Sequence, residues 1–123
     1  AAAIAACQLI SPRVIAYFQP HGFGPLRFMH AELSQEVAKV LRPNDYFLIG
    51  DVYYAGGTVD RNISPTIVST AIIREGKQAH YVGNKQGALT EMITLAQENT
   101  TFLIMGARDP HLDQLAKDLL KRL

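Results

Sequence analysis

The sequence predicts an α/β fold: a mostly parallel sheet with helices on both faces, in a single domain. Three observations carry that expectation. Short apolar runs alternate with longer segments of helical spacing, and every run is followed by a helix-like segment, the order that crossover connections in a parallel sheet require. The runs are continuously apolar, as in strands covered on both faces. The 123 residues contain no repeat, low-complexity segment or internal linker, and that length buries a core without being divided.

Each element follows from local chemistry. Residues 1–10 read as a helix body with no capping residue in front, as expected of a piece of something longer. Residues 14–18, Val-Ile-Ala-Tyr-Phe, have the length of a buried strand. Residues 19–27 hold two glycines and two prolines and are expected to form a shaped loop. A helix is predicted over 28–41, with Met29, Leu33, Val37, Val40 and Leu41 at helical spacing, and Pro43 prevents its continuation. A second strand over 46–49 leads into a glycine-containing loop over 50–63. Ser64 is a candidate N-cap with Pro65 at the first helical position, and that helix stops at Gly76. A short third strand covers 79–82, and Asn84 caps a helix whose core side is Ala88, Leu89, Met92, Ile93 and Ala96. A fourth strand covers 101–105, and the closing helix, from about His111, carries Leu112, Leu115, Ala116, Leu119 and Leu123 on one stripe. The architecture is Rossmann-like.

Composition removes several classes of function. Twelve basic against eleven acidic residues leave a net charge of +1, so no global field draws in nucleic acid or an anionic membrane. No apolar run approaches the roughly 20 residues of a spanning helix. The single cysteine, Cys7, cannot form an internal disulfide, fits a cytoplasmic protein, and reads as a small filler of the first helix. His30, His80 and His111 have no metal-ligand spacing. There is no phosphate-binding G-x-x-x-x-G-K-[ST] loop, no nucleophile elbow and no G-x-G-x-x-G, so the chain carries no self-sufficient catalytic apparatus.

The polar residues are distributed unequally. Parallel strands bring all their exits to one edge, the edge where open α/β sheets hold ligands. That edge receives His21 and Arg27 after the first strand and Asp51, Tyr53, Tyr54, Gly56, Gly57 and Thr58 after the second. It receives Gly83, Asn84 and Lys85 after the third, and Gly106, Arg108 and Asp109 after the fourth. The opposite connections, 42–45 and 98–100, read as plain turns. Arg27 stands at a helix start, where its charge opposes the helix dipole, and this points to an anionic partner from outside. His21 either binds ligand or caps backbone groups. Asp109, before Pro110, is first of all an N-cap.

Three patterns make the chain resemble the C-terminal domain of the Mur ligases, ATP-dependent amide-forming enzymes of bacterial cell-wall synthesis. They are Gln19-Pro20-His21 followed by Arg27, then Asp51 with Tyr53 or Tyr54, Ala55 and Gly56, and finally Met105-Gly106-Ala107. The branch they fit is that of the UDP-N-acetylmuramate–alanine and murein tripeptide ligases. Gly22 departs from it, where the family usually has arginine, and so do Gly57 and Thr58, where the family commonly continues Ala-Gly with glutamate. The resemblance spans nearly the whole of 1–123 and implies one domain of a three-domain enzyme. It implies His21, Arg27 and Tyr54 as substrate-binding residues. It implies Asp51, Gly56, Thr58, Arg108 and Asp109 as nucleotide or domain-closure contacts. ATP and magnesium would be held mainly by other domains. The partners would be a UDP-sugar substrate, an amino acid or peptide and the central ATPase domain, in the cytoplasm, with no nucleic acid. The alternative is a stand-alone α/β module that binds a small anion or a protein without catalysis.

Overall fold

A computed structural model describes residues 1–53, 63–106 and 111–123, the side chain of His111 apart. The elements are α1 (Ala2–Gln8), β1 (Arg13–Gln19), α2 (Phe23–Val40), β2 (Tyr46–Gly50), α3 (Thr66–Arg74), β3 (Gln78–Gly83), α4 (Lys85–Leu95), β4 (Thr100–Gly106) and α5 (His111–Arg122). The strands form one sheet in the order β3-β2-β1-β4, and all three pairings are parallel.

Alternation along the strands divides the core in two. Val14, Ala16, Phe47, Ile49 and Ala79 face α1, α2 and α3, which contribute Ile4, Leu26, Val37, Leu41, Val68 and Ile72. Ile15, Tyr17 and Leu48 face α4 and α5, which contribute Ala88, Leu89, Met92, Leu115 and Leu119. The expected fold class is therefore observed, with helices on both faces of a parallel sheet. Cys7 packs half-buried at the margin of the first layer, in the filler role its position suggests.

Three local expectations need correction. The shaped loop is shorter than the glycines and prolines imply, because α2 begins at Phe23 and not near residue 28. Gly22, at φ 87°, turns the chain into the helix and accepts from Leu26 N at 3.4 Å. Pro25 lies in the first turn, where a backbone N–H has no helical partner to lose. Arg27 consequently rides on helix and not on loop. Ser64 stands one residue further out than an N-cap: α3 starts at Thr66 behind Pro65, while Ser64 Oγ accepts from Thr66 N at 3.3 Å. Gly76, at φ 82°, ends α3 with paired bonds to the Ile73 and Ile72 carbonyls, from Gly76 N and Lys77 N. Asn84 does cap α4, its Oδ1 accepting from Gly87 N at 2.9 Å.

The third correction lies at the edge where the strands begin. The 42–45 connection is not a plain turn but a closed polar knot. Asp45 is fully buried and accepts from Val14 N (2.8 Å), Arg42 N (2.9 Å), Arg42 Nε (3.0 Å) and Gln8 Nε2 (2.9 Å). Arg42 Nη2 also reaches the Ser11 carbonyl at 2.9 Å. Arg13 donates to the carbonyls of Asn44 and Leu95 and lies over the Tyr46 ring. These groups tie α1, β1, α2, β2 and α4 together at one end of the sheet.

Candidate functional site

The strand order defines where the other end opens. Successive steps from β1 to β2 to β3 run one way with α2 and α3 on one face, and α4 then returns the chain across the other face to β4. α2, which follows β1, and α5, which follows β4, therefore lie on opposite faces, which makes the β1/β4 boundary the topological switch point of the sheet. Gln19 and Gly106 are register partners at that point. A Cβ on Gly106 would stand 2.3 Å from the Gln19 carbonyl oxygen, so only glycine lets the two backbones approach this closely.

Beyond the strands, β1 and β2 stay zipped together. Tyr53 N donates to the Pro20 carbonyl at 2.8 Å and Gly22 N to the Tyr53 carbonyl at 3.1 Å, so His21 and Tyr53 form a parallel bridge. Their rings meet edge to face at 5.7 Å. His21 is exposed at this lip, with its backbone fixed by neighbours on both sides. Of the two tyrosines that the pattern offers, Tyr53 lies against His21.

Asp51 is held from β3. Its N–H donates to the Gly83 carbonyl at 2.8 Å, and its carboxylate accepts a hydrogen bond from the Tyr81 hydroxyl. Tyr81 was not anticipated from sequence, because a tyrosine in a short strand carries no local signal of which loop it will reach. The hydrogen bond to Asp51, then burial and the carboxylate's charge, push the Tyr81 hydroxyl above its ordinary value near 10. A raised value in the folded state means that the contribution to stability is whole below pH 10 and fades as pH rises through the shifted value. We expect Tyr81→Phe to flatten the alkaline end of the stability profile, read by urea denaturation from neutral to strongly alkaline pH. An unchanged profile would show that the pair contributes nothing.

Arg27 takes a different position from His21. It lines an open groove of about 540 Å³ between α2 and α3 with Ile63, Ser64, Thr66, Ile67, Thr70 and Arg74. His21 is not among the lining residues, so the expectation of one pocket shared by both is not met among the described residues. The reason is the early start of α2, which moves Arg27 more than one helical turn away from the β1 exit. Tyr54, Gly56, Thr58, Arg108 and Asp109 lie outside the described residues.

The two edges of the sheet thus differ in chemistry. Arg13, Arg42 and Asp45 at the strand starts each make several internal hydrogen bonds, whereas His21, Asp51 and Asn84 at the strand exits are exposed, with one internal side-chain hydrogen bond each at Asp51 and Asn84. Among the described residues no group of three or more His, Cys, Asp or Glu side chains could hold a metal ion, and no helix is long and apolar enough to cross a membrane.

No protein-family model matches the chain. Curated proteins do resemble it. The chain is 31% identical over 111 residues to the UDP-N-acetylmuramate–L-alanine ligase of Sulfurihydrogenibium sp. (strain YO3AOP1), covering 90% of this chain and 23% of that protein. It is 29% identical over 120 residues to the protein of the same name from Pelotomaculum thermopropionicum, covering 97% of this chain and 25% of the relative. It is 33% identical over 110 residues to that of Chloroflexus aggregans, covering 88% and 22%. The chain is therefore similar, along nearly all of its length, to about a quarter of each of these proteins named UDP-N-acetylmuramate–L-alanine ligase.

Proposed function

We propose that this chain is the C-terminal domain of an ATP-dependent ligase that joins a UDP-muramic acid type carboxylate to an amino acid or peptide. One observation carries the reading: similarity over 88–97% of the chain to proteins bearing that ligase name. The separation of a closed polar edge from an open one supports it, since a domain that closes on a cleft needs one rigid end and one presenting end.

In this reading the domain positions the incoming amino acid and shuts water out of the cleft. Arg27 pairs with the amino acid carboxylate, because a planar guanidinium matches two carboxylate oxygens and the groove around it supplies hydroxyls from Ser64, Thr66 and Thr70. His21, fixed at the lip by Tyr53, hydrogen-bonds the bound substrate, and Tyr54 serves the same site. Asp51, Gly56, Thr58, Arg108 and Asp109 meet the nucleotide or the central ATPase domain on closure. In this reading ATP and magnesium are held mainly by the other domains of a longer cytoplasmic enzyme. ATP, when bound there, supplies the activation of the substrate carboxylate.

The test uses the full-length enzyme. ADP release is expected to require both the UDP-linked carboxylate and an amino acid. Arg27→Ala is expected to raise the apparent KM for the amino acid about tenfold or more, with a smaller change in KM for ATP, as loss of a charge-assisted bidentate contact does. An unchanged KM for the amino acid would remove Arg27 from the site, and ADP release independent of either substrate would remove the ligase reading.

A further inference from the structure

The strand order β3-β2-β1-β4, with α2 and α3 on one face and α4 on the other, is that of the first half of a doubly wound nucleotide-binding sheet. In such a sheet the nucleotide lies across the switch point, and its ribose passes over the exit of the second strand, where an acidic side chain accepts from a ribose hydroxyl. The first residue past β2 in this chain is Asp51. No G-x-G-x-x-G accompanies it, so nothing here holds phosphates in the manner of that pattern. The position of the acid depends on strand order alone.

Asp51 is held with unusual completeness for an exposed residue. Its N–H donates to the Gly83 carbonyl at 2.8 Å, and two residues on Tyr53 N donates to the Pro20 carbonyl at 2.8 Å, so the backbone is pinned to β3 and to the β1 exit. The side chain is fixed from β3. Register pairs Ile49 with Tyr81, which places Tyr81 diagonally across from Asp51, within reach of an aromatic side chain. Its hydroxyl donates to Asp51 Oδ1. Tyr81 is 42% exposed and belongs to neither core layer, so this bond orients the carboxylate more than it packs the fold. Among the described residues no donor meets the other oxygen, Oδ2, and a Cβ on the neighbouring Gly83 would find nothing within 4 Å.

An ionised carboxylate only accepts hydrogen bonds, and it repels phosphate. What a nucleotide offers to such a group is a sugar hydroxyl. We infer that Asp51 Oδ2 accepts from a ribose hydroxyl, and that Tyr81 is the positioning residue that aims the carboxylate at it. The inference rests on the ligase reading for its two sources of ribose, ATP and the UDP-linked substrate.

The experiment uses the full-length enzyme, follows ADP release, and compares each of these substrates with its 2′-deoxy and 3′-deoxy counterparts. In the parent, removal of the recognised hydroxyl is expected to raise KM about tenfold or more with kcat little changed, the range for a hydrogen bond to a charged acceptor. Asp51→Ala is expected to raise KM for the ribose form by the same factor and to treat ribose and deoxyribose alike. Tyr81→Phe keeps the ring and leaves Asp51 its charge. It is expected to cut the discrimination to about threefold and to add nothing in the Asp51→Ala background. Damage to the fold would lower kcat with every substrate and leave the ribose-to-deoxyribose ratio intact, so the ratio separates positioning from structure. The substrate whose deoxy form loses affinity identifies the ribose that is bound. A parent that does not discriminate, or an Asp51→Ala variant that keeps the parent's ratio, would overturn the inference, and a Tyr81→Phe variant with the parent's ratio would overturn the part given to Tyr81. ADP release that needs neither acceptor nor UDP-linked substrate would remove the ligase reading, while the ratio measured with ATP would still judge the ribose site.

Discussion

Asp45→Ala is expected to destabilise the fold by about 3–4 kcal/mol, the range for removing one partner of a buried, hydrogen-bonded ion pair. The side chain is fully buried and gathers donors from α1, β1 and Arg42, so truncation leaves Val14 N without its acceptor and leaves the Gln8 amide only the Val40 carbonyl. Arg42→Ala is expected to cost less, because the Val14, Arg42 backbone and Gln8 donors to Asp45 all survive it. Burial alone would raise the Asp45 carboxyl. The Arg42 side chain, the backbone N–H groups of Arg42 and Val14 and the Gln8 amide outweigh burial and hold it below its ordinary value of 3.8. A depressed value in the folded state gives stability that is present at neutral pH and lost as pH falls through the folded value. The acid limb of the stability profile should therefore be shallower in Asp45→Ala than in the parent. Urea denaturation at neutral pH and at about pH 3 checks both statements. A loss below about 1 kcal/mol would mean that the knot is peripheral to the fold.

Gly106→Ala is expected to cost about 2–3 kcal/mol and to act on the opposite end of the sheet. Two terms add. The residue sits at φ 136°, where a side chain is strained, and the new Cβ would lie 2.3 Å from the Gln19 carbonyl and 2.8 Å from Gln19 N. The obstructing atoms are backbone of a central strand, so they cannot swing aside as a flexible side chain would. The exits of β1 and β4 would have to part, and the switch-point crevice would widen with them. In the full-length enzyme the same variant is therefore expected to lose activity beyond its loss of stability, measured as kcat/KM at a temperature where it remains folded. A variant as stable and as active as the parent would show that this close approach is dispensable.

The architecture was legible because its signals are local. The apolar runs at 14–18, 46–49 and 101–105 are long enough to declare strands without knowing their neighbours, and the observed bounds extend each by one or two residues. Asn84 was legible for the same reason, since a cap is decided within four residues. The start of α2 was misread because Gly22, Gly24 and Pro25 all favour loops on propensity, whereas a proline in the first helical turn loses nothing. Asp45 was hidden altogether. Its partners lie 31 and 37 positions away, at Val14 and Gln8, and an aspartate after Pro43-Asn44 looks like any turn residue. Tyr81 and Asp51 were opaque for a related reason: they meet only because β2 and β3 are neighbours, with a register irregularity between Ile49 and Gly50. Strand order itself is not written in any one segment, and so neither was the position of the switch point.

If the proposed function holds, ligand is met at the strand-exit edge and not at the polar knot. Hydrogen exchange on the full-length enzyme, with and without the UDP-linked carboxylate, the amino acid and a non-hydrolysable ATP analogue, tests this directly. Slowed exchange is expected in residues 19–22, 50–53 and around Gly106, with residues 42–45 and 98–100 unchanged. Protection confined to 42–45 and 98–100, or none anywhere in the chain, would contradict it.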